Sequence, residues 1–92
     1  MDTYAKIAVE IISYQEAIIG PVAVEQAQFV DGLQLDWDKH EATISGDKMN
    51  VIDKLVEQYK NLFGQISVEV CKDAASKFLG ELSATERPKL LQ

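Results

Sequence analysis

Gly20-Pro21-Val22-Ala23-Val24-Glu25 and Gly64-Gln65-Ile66-Ser67-Val68-Glu69 share one pattern, and their glycines lie 44 residues apart. Each glycine follows an apolar run that holds a tyrosine (Tyr14, Tyr59) and ends in bulky residues (Ile18-Ile19, Leu62-Phe63). Each is followed by a second run with small residues (Ala23 and Ala27; Cys71, Ala74 and Ala75). A glycine between two runs of helical period marks a chain reversal, so the pattern predicts two helical hairpins of similar design, an internal repeat.

Working outward from Gly20, Tyr4, Ile7, Ala8, Ile11, Tyr14 and Ile18 recur at helical spacing, with Lys6, Glu10 and Ser13 opposite. A first helix over about Asp2–Ile19 follows, its stripe widened by Ile12 and Ile19. Pro21 suits the first turn of the next helix, because its φ is preset and its missing N–H is not needed there. That second helix is predicted to run to about Val30 and to close at Asp31-Gly32.

The middle of the chain changes period. Leu33, Leu35 and Trp37 alternate with Gln34, Asp36 and Asp38, and Ala42-Thr43-Ile44-Ser45 supplies a return strand after a polar tip at Lys39-His40-Glu41. This reads as a β-hairpin with Leu33, Leu35, Trp37, Ala42 and Ile44 on one face. Asp47 is the expected N-cap of a third helix, about Lys48–Phe63, with Met49, Ile52, Leu55, Val56, Tyr59, Leu62 and Phe63 on its apolar face. After Gly64 a fourth helix is expected to run to Leu79, turning Ile66, Val70, Cys71, Ala74, Phe78 and Leu79 inward. Gly80 would end it, Ser83-x-x-Glu86 has the capping-box form, and Lys89–Gln92 are expected to fray beyond Pro88. The predicted fold is α+β and mainly helical, in a single domain: a helical hairpin (1–31), a β-hairpin (32–46), a second helical hairpin (47–82) and a tail (83–92).

The chain has 92 residues, 47% hydrophobic and 26% charged, with a net charge of −6. That is ordinary for one soluble globular domain, and no apolar stretch is long enough to span a bilayer. The start, Met1-Asp2-Thr3-Tyr4-Ala5-Lys6, is not expected to be a signal peptide. A lone Cys71 cannot form an internal disulfide, so a cytoplasmic location is expected. Residues 1–46 hold eight acids and two lysines, whereas 47–92 hold seven of each sign. No basic cluster exists to displace counterions from a phosphate backbone, which argues against a nucleic-acid partner. The acidic half could instead steer a basic protein partner.

Few residues carry a chemical signal. Asp36, Asp38 and His40 alternate beside Glu41, a weak metal-binding pattern that reads more simply as a solvated hairpin tip. No metal and no cofactor is expected. His40 is the only possible centre for a histidine-based triad, and no glycine-flanked serine or activated cysteine stands near it in sequence. Cys71 reads as a small buried hydrophobe. Gly20 and Gly64 read as helix punctuation, not as a phosphate loop.

Ala17-Ile18-Ile19-Gly20-Pro21-Val22-Ala23, set between two helical runs, resembles the short helical IGP(I/V)A module appended to some prokaryotic signalling and regulatory proteins. The likeness covers residues 11–30. It implies an interaction or regulatory role without catalysis and transfers no catalytic residue.

The expected function is therefore a non-catalytic, self-associating interaction module, a homodimer. Its interface would be built on the hairpin (Leu33, Leu35, Trp37, Ile44) or on the wide stripe of the first helix (Ile12, Ile19). The alternative is a small-ligand sensor with a pocket between the repeated halves near Tyr14 and Tyr59. A metal-dependent enzyme at Asp36, Asp38 and His40 stands last.

Overall fold

The computed structural model describes all 92 residues. Helix α1 (Thr3–Ile19) is followed by a short α2 (Val22–Ala27), an antiparallel pair β1 (Leu33–Asp36) and β2 (Glu41–Ile44), and the long helices α3 (Lys48–Phe63) and α4 (Gln65–Leu79). The chain is thus α+β and mainly helical. The N-termini of α1 and α3 are capped as their sequences require: the Asp2 carboxylate accepts from the Ala5 N–H at 2.8 Å, and that of Asp47 accepts from the Asn50 N–H at 3.2 Å.

The two glycine turns have the same geometry. Gly20 (φ 78°, ψ −159°) and Gly64 (φ 83°, ψ −171°) both take a positive φ open to glycine. Gly20 N–H donates to Glu16 C=O and Gly64 N–H to Lys60 C=O, closing each helix. Ala23 and Ser67 N–H then donate back to the carbonyls of Gly20 and Gly64, opening the next helix. The expected second helix, however, is shorter than its sequence pattern suggests. It ends at Ala27, and 3₁₀-type bonds from Phe29 to Gln26 and from Val30 to Ala27 tighten the chain, carrying Val30 into the core and leaving Phe29 outside.

The hairpin register pairs Leu33 with Ile44 and Leu35 with Ala42, so these four share one face, as the alternation predicts. Leu33, Ala42 and Ile44 are buried and Leu35 partly so, and β2 lies against α1. Trp37 departs from the expected strand. The chain coils at Trp37–Lys39 into a single 3₁₀ turn, and His40 takes a left-handed conformation (φ 51°). Trp37 is held there by its indole N–H, which donates to the Glu16 carboxylate at 3.2 Å, and by its contact with the His40 ring.

Helix α4 packs between α1 and α3. It runs antiparallel to α1, with Lys77 on Glu10 at 2.9 Å and Ser67 beside Gln15. Its inward face is not the expected one. Ser67, Val68, Cys71, Ala74 and Ala75 are buried, Val70, Phe78 and Leu79 are half-buried, and Ile66 is 74% exposed. Small side chains let the helix approach both neighbours closely, and the bulky Ile66–Val70 edge is rotated outward as a result.

The tail also differs from expectation. Lys89–Leu91 forms a 3₁₀ turn instead of fraying: Pro88 and Leu91 are buried, and the N–H groups of Lys89 and Leu90 donate to the Asp53 carboxylate at 3.2 and 2.9 Å. Arg87 ties the same segment to the end of α4 through the carbonyls of Leu79 and Leu82. One contiguous core therefore reaches from Ala5 to Leu91.

Gly32 (φ 87°) holds the junction into β1, and a Cβ there would stand 2.8 Å from the Ser45 carbonyl oxygen. Gly46 has a similar φ of 85° but open space around it. Gly46→Ala is expected to cost only the backbone term, about 1–2 kcal/mol. Gly32→Ala should cost clearly more in the same chemical denaturation series, because the Ser45 backbone must also move.

Candidate functional site

Both glycine turns lie at one end of the molecule, where α1 and α3 stop and α4 begins. At that end Ile18 (64%), Leu62 (50%), Phe63 (38%) and Ile66 (74%) are exposed. Tyr14, one turn before Ile18 on α1, is also exposed. Between them is a cleft of about 220 Å³ walled by Ile18, Ile19, Phe63, Ile66 and Val70, with Gln15 and Ser67 at its base. Two other hollows are larger, about 370 Å³ beside Phe29 and Lys54 and about 440 Å³ over the exposed face of the hairpin. Both are shallow and lined mainly by polar groups, so neither can desolvate an apolar group as the end cleft can.

Gln15 organises the cleft. It is 2% exposed, in the middle of the apolar stripe of α1. Its amide N–H₂ donates to the Ser67 carbonyl at 3.1 Å and to Cys71 Sγ at 3.4 Å. Its amide oxygen accepts no hydrogen bond from the chain, and the residue lines the cleft. A matching contact joins the other pair of helices: Tyr59 is fully buried and donates from its hydroxyl to the Ala23 carbonyl at 2.6 Å. Gln15 and Tyr59 are 44 residues apart, as are Ala23 and Ser67, so the two cross-helix bonds occupy equivalent places.

No family model, curated protein or solved structure matches the chain.

The residues singled out from the sequence fall as follows. Ile12 has no exposed surface and lies in the core, while Leu33 and Ile44 are almost wholly buried by the chain itself. They cannot form the bulk of a contact with another chain, because the same hydrophobic area is already removed from water. Leu35, Trp37 and Ile19 are part-exposed, and Ile19 alone of the expected set borders the end cleft. Tyr14 and Tyr59 are not equivalents: the 44-residue offset sets Tyr59 against Gln15, and Tyr59 has no surface to offer a ligand. Asp36 faces Lys39 at 3.9 Å, and no group of three His, Cys, Asp or Glu side chains is placed to hold a metal ion. Helical spacing alone did not single out Ile18, Leu62, Phe63 and Ile66 as exposed. The available signal was Gln15, a polar residue at a stripe position one turn after Ile11.

Cys71 is fully buried beside Gln15, and burial pushes its thiol up to about 11 from a usual 9.0. Tyr59 is raised for the same reason. For an acid whose folded pKa is raised, the unfolded chain loses its proton first. Stability is therefore complete below about pH 9 and declines as pH rises towards 11. Cys71→Ala should flatten part of that decline in denaturation midpoints measured across this range, with Tyr59 supplying the remainder. In the native protein the thiol should react with a disulfide reagent far more slowly than after denaturation. Equal rates would remove Cys71 from the core.

Proposed function

We propose that the chain is a non-catalytic interaction module that self-associates by burying its apolar end. The observation that carries this reading is the set of Ile18, Phe63 and Ile66, three large apolar side chains exposed around one cleft. Scattered exposed leucines or isoleucines need no explanation, but a contiguous apolar patch with an organised cleft is typical of a contact surface. The interface is thus assigned to the turn end, with Ile19 at its edge, and not to the hairpin or Ile12.

The cleft's size favours a side chain over a free ligand. Small-molecule sites commonly enclose about 300–1,000 Å³, and this one offers about 220 Å³. The likeness of Ala17–Ala23 to the IGP(I/V)A module points to the same non-catalytic role. The exposed Asp31, Asp36, Asp38 and Glu41, on and around the hairpin, would provide a separate face for a basic protein partner. The unpaired Cys71 suits a reducing, cytoplasmic setting. No helix is long and apolar enough to cross a membrane.

Sedimentation across a concentration series tests the reading. The wild-type chain should shift from monomer to dimer mass with rising concentration. Ile66→Glu should hold it at monomer mass with unchanged far-ultraviolet circular dichroism, since Ile66 contributes little to the core. Lys72→Ala, on the half-buried shoulder of α4, should leave association unchanged. A wild-type chain that stays monomeric at high micromolar concentration would defeat the proposal.

A further inference from the structure

We infer that the group filling the end cleft is Tyr14 of a second copy, its ring against Ile18, Ile66 and Val70 and its hydroxyl donating to the Gln15 amide oxygen. This rests on self-association through the apolar end and names the anchor of that contact.

The cleft asks for a particular chemistry. Its walls are aliphatic and aromatic, so the occupant must present an apolar body. Two polar groups at its base, the Gln15 amide oxygen and the Ser67 hydroxyl, make no hydrogen bond within the chain, and the Gln15 N–H₂ is already committed to the Ser67 carbonyl and Cys71 Sγ. An acceptor with no donor costs free energy when a partner seals it from water, so the occupant should bring an O–H or N–H at its tip. An aromatic ring with a hydroxyl or indole N–H meets both demands, and such side chains are favoured as interface anchors.

Among the tyrosines and the tryptophan of this chain, one such tip is free. Tyr4 O–H donates to the Glu86 carbonyl, Tyr59 O–H to the Ala23 carbonyl, and Trp37 N–H to the Glu16 carboxylate. Tyr14 is 40% exposed and its hydroxyl has no partner in the chain. In sequence it is next to Gln15 and one turn from Ile18, both of which line the cleft. A two-fold contact requires anchor and receptor to share one surface, so that each copy fills the other's cleft. Charge favours the same occupant. Tyr14, Ile18, Ile19, Phe63, Ile66 and Val70 are all neutral, so two chains that each carry a net −6 can meet through uncharged walls, with Glu69 on α4 the carboxylate that flanks them in sequence.

Sedimentation equilibrium of wild type, Tyr14→Phe and Tyr14→Ala, alongside Ile66→Glu, tests the assignment. Tyr14→Phe keeps the ring and removes one hydrogen bond per cleft. With each bond worth roughly 2- to 12-fold and two per dimer, the dissociation constant should rise about 5- to 150-fold. Tyr14→Ala should weaken association further. In a dimer mixed from labelled and unlabelled chains, the Tyr14 ring protons should show intermolecular nuclear Overhauser effects to Ile66 and Val70 methyls. If both Tyr14 variants dimerise like wild type while Ile66→Glu is monomeric, the end-face contact stands and Tyr14 is not its anchor. Absence of those cross-chain effects in a formed dimer would overturn the assignment in the same way. A monomeric wild type would remove the contact itself.

Discussion

The close seating of α4 between α1 and α3 governs the rest of the molecule. It depends on small side chains: Ser67, Cys71, Ala74 and Ala75 recur along one stripe and let the backbones approach. Gln15 then locks the rotation, because its buried amide must find partners and finds them in the Ser67 carbonyl and Cys71 Sγ. Successive residues on a helix are separated by about 100°. With Ser67 and Cys71 facing α1, Ile66 and Val70 are necessarily carried towards the surface. The apolar end is thus a direct consequence of how the core is packed, and it could not be buried within the chain without undoing the Gln15 contact.

The Tyr59–Ala23 bond makes the corresponding crossing on the other side, with the two glycine turns in matching conformations. Beyond these places the halves diverge. Helix α4 has 15 residues and covers two neighbours, whereas α2 has six. Where α2 stops, the hairpin takes over and lays Leu33, Ala42 and Ile44 on the helical core. A two-stranded hairpin is marginal alone, so its stability here comes from that packing. The Trp37–Glu16 bond and the Lys48–Asp2 ion pair tie the hairpin and the start of α3 to α1. The ion pair is solvent-exposed, so its weight is small compared with the burial.

Much of the architecture was legible in the residues. The bounds of α3 and α4, the Asp47 cap, the Ser83–Glu86 capping box and the shared face of Leu33, Leu35, Ala42 and Ile44 all follow from local patterns, because caps, glycine stops and alternation act over a few residues. What escaped reading was decided by distant partners. An apolar stripe states that some face is buried, but the choice between the Ile66–Val70 edge and the Ser67–Cys71 edge was made by how closely α1 could approach. Trp37 left the strand pattern for a carboxylate 21 residues away, and the tail was ordered by Asp53, 36 positions upstream of Lys89. The candidate site lies on the same side of this divide. Its residues are ordinary core-type side chains in sequence, and on α4 the rotation that buries Ser67 and Cys71 is what exposes Ile66.

The distribution of charge gives that exposure its meaning. Asp31, Asp36, Asp38 and Glu41 place negative charge on and around the hairpin, whereas the walls of the end cleft carry no charge. Two copies of an acidic chain repel at separations up to about the Debye length, roughly 8–10 Å at moderate salt. Contact through a neutral face leaves this repulsion as the main electrostatic term, and added salt screens it, so self-association at the end should strengthen slightly with ionic strength. Recruitment of a basic partner to the acidic half would have the opposite sign, since salt screens an attraction there. The two proposed modes would use different surfaces and would respond oppositely to the same variable, so a salt series separates one from the other.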